Sequence, residues 1–201
     1  MRWTGTLLFA LLSPLNALAE CECLWQGSFT DVQTETDLVV SGRVVAIKGN
    51  SMDIEIERTL RGTEYNNPIR IWLDTGDLCR AEVGGFPQDS RWVMALDKIT
   101  EIAPGGFNPR TPSVSYGRVG DYSLSRCGGY WLSQTENLVS GNLTSGPRWV
   151  MDPKMSPVLL DLVAAHVAGE LDKDTLVEAG RVDPALQELM INTRLFIRSQ
   201  Q

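Results

Sequence analysis

The sequence predicts a mainly β protein, a small closed barrel of five strands with an α-helical extension at its C-terminal end. Three observations carry this reading. Between Thr36 and Gln134 five runs rich in β-branched and aromatic residues are set apart by glycine, proline and asparagine breaks. The first run is long, holds Gly42 as a bulge or bend and is followed at once by a hairpin partner, a combination that closes a barrel and removes exposed sheet edges. Beyond Gly146 the apolar spacing changes from that of a strand to that of a helix face. The expected organisation is a leader at 1–19, a barrel domain at 20–145 and a helical extension at 146–201.

Met1 to Ala19 carries Arg2, the apolar run Leu7 to Leu12, Pro14 and the small-x-small stretch Ala17-Leu18-Ala19, the three parts of a secretory signal peptide. The apolar run is too short to span a bilayer, and no later segment reaches the roughly 18–20 apolar residues a membrane helix needs. Glu20 stands where a lipoprotein signal needs a small residue, so no membrane anchor is expected. The chain is therefore expected to be secreted or periplasmic, with its mature start beside Cys21.

Four cysteines in an exported chain predict two disulfides. Cys21 and Cys23 are too close to bridge each other without strain, because bridged Cα atoms lie about 4.4–6.8 Å apart with converging Cβ vectors. Each must reach Cys79 or Cys127, and spacing leaves both pairings open. Loops of about 60–100 residues would close, each removing on the order of 4 kcal/mol of unfolded-state entropy in the simple chain model. The separations of 2, 56 and 48 residues match no zinc-ligand pattern, and no cofactor is expected.

The first strand is expected over Thr36 to Lys48, through Leu38-Val39-Val40 and Val44-Val45-Ala46-Ile47. Gly49-Asn50-Ser51 is a turn. In the second strand Met52, Ile54 and Ile56 face one way and Asp53, Glu55 and Glu57 the other. After breaks at Arg61-Gly62 and Asn66-Asn67-Pro68, Ile69, Ile71 and Leu73 alternate with Arg70, Trp72 and Asp74 in a third strand. A fourth follows the Val83 to Asp89 loop at Arg91 to Leu96, and a fifth is expected from Asp121 to Gln134. The connection Thr100 to Gly120 is long and proline-rich, as functional or mobile loops are.

Ser156-Pro157 reads as a helix start, with Leu159, Leu162, Val163, His166 and Val167 on one face up to Gly169. A short helical turn is expected around Asp174 to Ala179, and Asp183-Pro184 opens a last helix with Leu186, Leu189, Met190, Thr193 and Phe196 as its apolar stripe. So little helix cannot bury much alone and is expected to pack on the barrel.

Composition excludes some functions. An apolar fraction of 43% with 6 tryptophans supports a real core, whereas a formal net charge of −7, one unit lower without Arg2, repels phosphate backbones. No Lys/Arg cluster reverses this locally, so no nucleic-acid partner is expected. The single histidine, His166, sits on an apolar helical stripe as a core imidazole would. No nucleophile elbow, phosphate loop or paired-histidine metal motif is present, and the carboxylates Asp53, Glu55 and Glu57 lie on a wet strand face, so no enzyme is expected. Trp25, Trp72 and Tyr130-Trp131 are candidate exposed aromatics or, alternatively, barrel filling. Asn142-Leu143-Thr144 matches a glycosylation sequon.

The segments Cys21-Glu22-Cys23, Asp37 to Val44, Leu78-Cys79, Trp92 to Leu96 and Tyr122 to Cys127 resemble, in order and spacing, the tissue inhibitors of metalloproteinases and the wider netrin-like family. The resemblance covers roughly residues 21 to 135. It implies an oligonucleotide/oligosaccharide-binding (OB) type of barrel with Cys21 bridged to Cys79 and Cys23 to Cys127. In that family the amino group and carbonyl of an N-terminal cysteine chelate a protease's zinc, and the next side chain, here Glu22, enters the adjoining pocket. This chain departs from the pattern: Glu20 precedes Cys21, and a buried glutamate is costly in an apolar slot.

The expectation is therefore an exported binding module with a protein partner. A metalloprotease is the partner the resemblance suggests, and a glycan-binding or carboxylate-based hydrolytic barrel is the further alternative. The expected contact residues are Cys21, Glu22, Cys23, Leu24 and Trp25, with Asn50 in the Lys48–Ser51 turn and Gly85 and Phe86 in the Val83–Asp89 loop, three stretches that line one edge in the family resembled.

Overall fold

The computed structural model describes residues 21–76, 78–101, 115–144 and 155–181, and positions 185, 188, 192, 195, 196 and 198. The leader at 1–19, Glu20, the middle of the Thr100–Gly120 connection and the stripe residues Leu186, Leu189, Met190 and Thr193 lie outside the described residues.

Strands β1 (Leu38–Lys48) and β2 (Ser51–Arg61) form the expected hairpin, and β3 (Ile69–Trp72) lies antiparallel to β2. β3 runs parallel to β5 (Tyr122–Ser123), β5 pairs with the end of β4 (Arg91–Lys98), and β4 returns to β1 from Leu38 to Arg43. That ring is a closed five-stranded OB-like barrel. Its interior is filled by the inward set of each strand, with Val40, Val44, Met52, Ile54, Ile71 and Met94 at most 1% exposed. The hairpin register slips between Ser41 and Gly42. A Cβ at Gly42 would stand 2.6 Å from both the Glu55 carbonyl and Ile54 Cγ2, so only glycine lets β2 lie this close at the bulge.

The fifth run is one strand broken in two. β5 ends after Ser123, the chain bulges through Cys127, and β6 (Trp131–Thr135) resumes against the first half of β4. The bulge is drawn toward the N-terminal segment by the Cys23–Cys127 bridge and by Gly129, whose amide donates to the Gly27 carbonyl at 2.9 Å. Two further strands continue the sheet, β7 (Leu138–Gly141) on β6 and β8 (Val158–Leu159) on β7.

Because β8 takes up Val158 and Leu159, the helix expected after Ser156 begins later, as α2 (Leu160–Val167), with Leu159 in extended conformation before it. α3 (Lys173–Ala179) is capped by Asp172, which accepts from the Thr175 amide at 2.8 Å. Val158, Val163, Val167 and Leu176 join the same apolar cluster as the barrel residues, so extension and barrel share one core. His166 is half-buried, and its Nδ1 donates to the Leu171 carbonyl at 2.9 Å, a satisfied structural imidazole. The described positions from 185 to 198 are helical, with Phe196 65% exposed. Among the described residues no helix is long and apolar enough to cross a membrane.

Candidate functional site

Cys21 is bridged to Cys79 and Cys23 to Cys127, and no cysteine is free. The sulfurs of Cys23, Cys79 and Cys127 lie within 4.8 Å of one another, so the two bridges are packed side by side. With every sulfur in a disulfide the cluster offers no thiolate to a metal. Exposure alternates along the pinned stretch: Glu22, Leu24 and Gln26 face solvent, while both cysteines and Trp25 are half-buried. Leu24 is 85% exposed.

Backbone bonds fasten the same stretch. The Gln26 amide donates to the Cys127 carbonyl at 2.7 Å, and Phe29 and Thr30 donate to the Asn142 and Leu143 carbonyls at 2.7 and 3.0 Å. The segment then enters a short helix, α1 (Phe29–Val32), where Asp31 Oδ2 accepts from the Ser28 amide at 2.9 Å and its hydroxyl at 2.6 Å. Burial pushes the Asp31 carboxyl up, but Lys173 and these Ser28 donors outweigh it and hold it below the usual range. At the start of the segment, Arg126 Nη2 donates to the Cys21 carbonyl at 2.7 Å.

The Lys48–Ser51 turn is tied to the same end of the barrel. Asn50 is 6% exposed and acts as a bolt, with Nδ2 donating to the Leu73 and Ser115 carbonyls at 3.1 and 2.8 Å and Oδ1 accepting from the Ser115 amide at 3.0 Å. Arg80, next to the bridged Cys79, donates to the Tyr116 carbonyl at 2.6 Å. The turn, the stretch after β3 and the N-terminal segment are thus linked. Asn50 spends its side chain on the scaffold.

The Val83–Asp89 loop is fastened elsewhere, with the Asp89 backbone amide donating to the Val44 carbonyl at 2.9 Å partway along β1. Phe86 is 1% exposed and edge-on to Trp92 and Trp131, at ring-centre distances of 5.1 and 5.6 Å. It is a core anchor, whereas Gly85 has open space where a side chain would stand. Trp72 is buried as well, its Nε1 donating to Asp121 Oδ2 at 2.7 Å, and so is Tyr130, whose hydroxyl donates to Gln26. Asn142 of the sequon has its Oδ1 buried without a partner.

The strand carboxylates are neutralised one by one. Arg70 grips Asp53 through two bonds of 2.7 and 2.8 Å, Arg43 meets Glu55 at 2.6 Å and Asp89 at 3.1 Å, and Arg91 meets Glu57 at 3.0 Å. None of these three carboxyls stands alone in an apolar pocket, as a general acid would. A cleft of about 410 Å³ opens instead beside β3 and β5, between the 62–68 connection and the segment before β5. Sequence reading took this connection only as a break. The one signal there was Tyr65, a large aromatic placed among turn formers, and it is 93% exposed.

Comparison of the chain with protein-family models, with curated proteins and with solved structures finds no match.

Proposed function

We propose that the chain is an exported, disulfide-stabilised binding module of netrin-like type, which meets a protein partner through the outward side chains of Cys21 to Gln26. The observation that carries this is Leu24, 85% exposed on a segment held by two disulfides. An exposed leucine alone is ordinary, but one on a segment already immobilised loses little further entropy on binding and makes a preordered anchor. Glu22 stands beside it on the same outward side, and the chain is net acidic. A complementary partner surface has an apolar pocket with a basic rim. The signal-like leader and the paired cysteines support a secreted or periplasmic setting.

Arg126 favours side-chain recognition over zinc chelation through Cys21. A guanidinium on the Cys21 carbonyl engages the oxygen that chelation needs and sets a positive charge where a cation would have to arrive. The test is a photo-cross-linking residue placed at Leu24 and, in a control, at exposed Val177 on α3, with the protein returned to its native exported fraction. A product formed from position 24 alone, and lost with Glu22→Arg, supports the reading. Identical products from both positions would sink it.

A further inference from the structure

We propose a second binding site, unconnected with the N-terminal segment: the cleft beside β3 and β5 takes an uncharged oligosaccharide, with Tyr65 as its stacking platform. The argument begins with the 62–68 connection, which is built to hold its shape. Asn67 imitates a neighbouring strand, its Oδ1 accepting from the Ile56 amide at 2.8 Å and its Nδ2 donating to the Ile56 carbonyl at 3.0 Å. Glu64 has a side chain only 5% exposed. Its Oε1 accepts from the Tyr65 and Asn66 amides at 2.8 Å each and from Asn66 Nδ2 at 2.9 Å, while Oε2 accepts from the Tyr122 hydroxyl at 2.6 Å. Burial pushes this carboxyl up, and the surrounding donors more than reverse it.

From this fixed frame Tyr65 projects into water with 93% of its surface exposed. An aromatic ring on a floppy loop would be unremarkable. Here Glu64 fixes the backbone that carries the ring, and the exposed phenol offers a flat apolar face of the kind on which the C–H face of a sugar ring stacks.

Glu64 and Asn66, the chain neighbours of Tyr65, line the cleft, which supplies the rest of such a site. Its volume, about 410 Å³, falls in the ordinary range of ligand sites, roughly 300–1,000 Å³. Its walls are polar, from Asp53, Asn66, Arg70, Arg118 and Asp121. The charges balance. Asp53 is paired with Arg70, Lys98 Nζ stands 3.9 Å from Glu64, and Arg118 and Asp121 add one charge of each sign. A strong anion or cation gains little there, and an apolar chain would strip water from these polar groups without replacing it. A polyhydroxyl ligand, donor and acceptor at once, can satisfy both the guanidinium of Arg118 and the amide of Asn66.

The experiment is amide shift mapping of the oxidised full-length protein at millimolar cellopentaose, chitopentaose and maltopentaose, with tetragalacturonate as the charged comparison. The expected result is that a neutral pentasaccharide shifts Glu64 to Asn67 and Arg118 to Tyr122. Tyr65→Ala should weaken that binding about tenfold or more while Tyr65→Phe retains it. With Tyr65 93% exposed, both variants should keep the melting temperature within the small scatter of surface changes. Silence from all the neutral sugars, shifts confined to other surfaces, equal affinity in Tyr65→Ala, or tighter binding of tetragalacturonate would each overturn the proposal.

Discussion

Phe86→Ala separates scaffold from contact surface. On sequence grounds Phe86 belongs to a candidate binding loop, yet it is 1% exposed and meets Trp92 and Trp131 edge-on. Truncating a buried phenylalanine costs about 3–5 kcal/mol in lost transfer energy and residual cavity. Two edge-to-face contacts, each worth about 0.5–1.5 kcal/mol beyond area, place the loss in the upper half of that range, at about 4 kcal/mol. With a urea slope of about 2 kcal/mol per molar, the unfolding midpoint should fall by about 2 M. Tryptophan fluorescence is a suitable probe, because two indoles lose their packing partner. Leu24→Ala should shift the midpoint within the roughly 0.5 kcal/mol scatter of surface changes. A Phe86→Ala midpoint within about 0.5 M of wild type would refute the assignment of Phe86 to the core.

Replacing Cys23 and Cys127 together by serine opens a loop of 104 residues' separation. It should cost about 2–5 kcal/mol by denaturation, and the unaltered chain prepared from an oxidising compartment should show no alkylatable thiol before reduction. At Asp97, burial first and the Asp37 charge second raise the carboxyl above its ordinary value of 3.8. The folded state therefore holds that proton more tightly than the unfolded chain, and the stability it contributes is lost as pH rises through the folded-state value. Asp97→Asn should match wild type at the acid end and exceed it at pH 7; a stability difference that is the same at both ends would refute this.

Those parts of the fold set by local pattern were legible. The alternation of Met52 and Ile54 with Asp53 and Glu55 gave β2 and its buried face, and Gly42 gave the bulge of β1, because burial and steric fit act there at the period of the strand itself. What was not legible depends on partners far along the chain. The break between β5 and β6 is made where Cys127 is drawn to Cys23, and no run of residues around Cys127 encodes that pull. β7 and β8 are 4 and 2 residues long and exist only because β6 offers an edge. Gly84-Gly85-Phe86-Pro87 has the composition of a loop tip, and only the indoles of β4 and β6 turn its phenyl ring inward.

The same weighing shows which element fixes the N-terminal segment. The link to the helical extension is Lys173 Nζ with Asp31 at 2.5 Å, both side chains 42% exposed, and a pair so open to water is worth less than about 1 kcal/mol. Against it stand two disulfides, each worth about 2–4 kcal/mol. The amides of Gln26, Phe29 and Thr30 add backbone bonds of about 1 kcal/mol each. The barrel therefore sets the position of Glu22 and Leu24, and the ion pair to α3 contributes little. Lys173→Ala should leave both stability and amide exchange of Phe29 and Thr30 near wild type. Gly129→Ala should not, because its Cβ would stand 2.8 Å from the Phe29 nitrogen and from the Asn142 carbonyl oxygen, backbone atoms that cannot turn aside. Forcing them apart should cost about 1–3 kcal/mol and speed exchange at Phe29 and Thr30. If Lys173→Ala loosened those amides as much as Gly129→Ala did, the helical extension would have to be counted among the elements that hold the N-terminal segment.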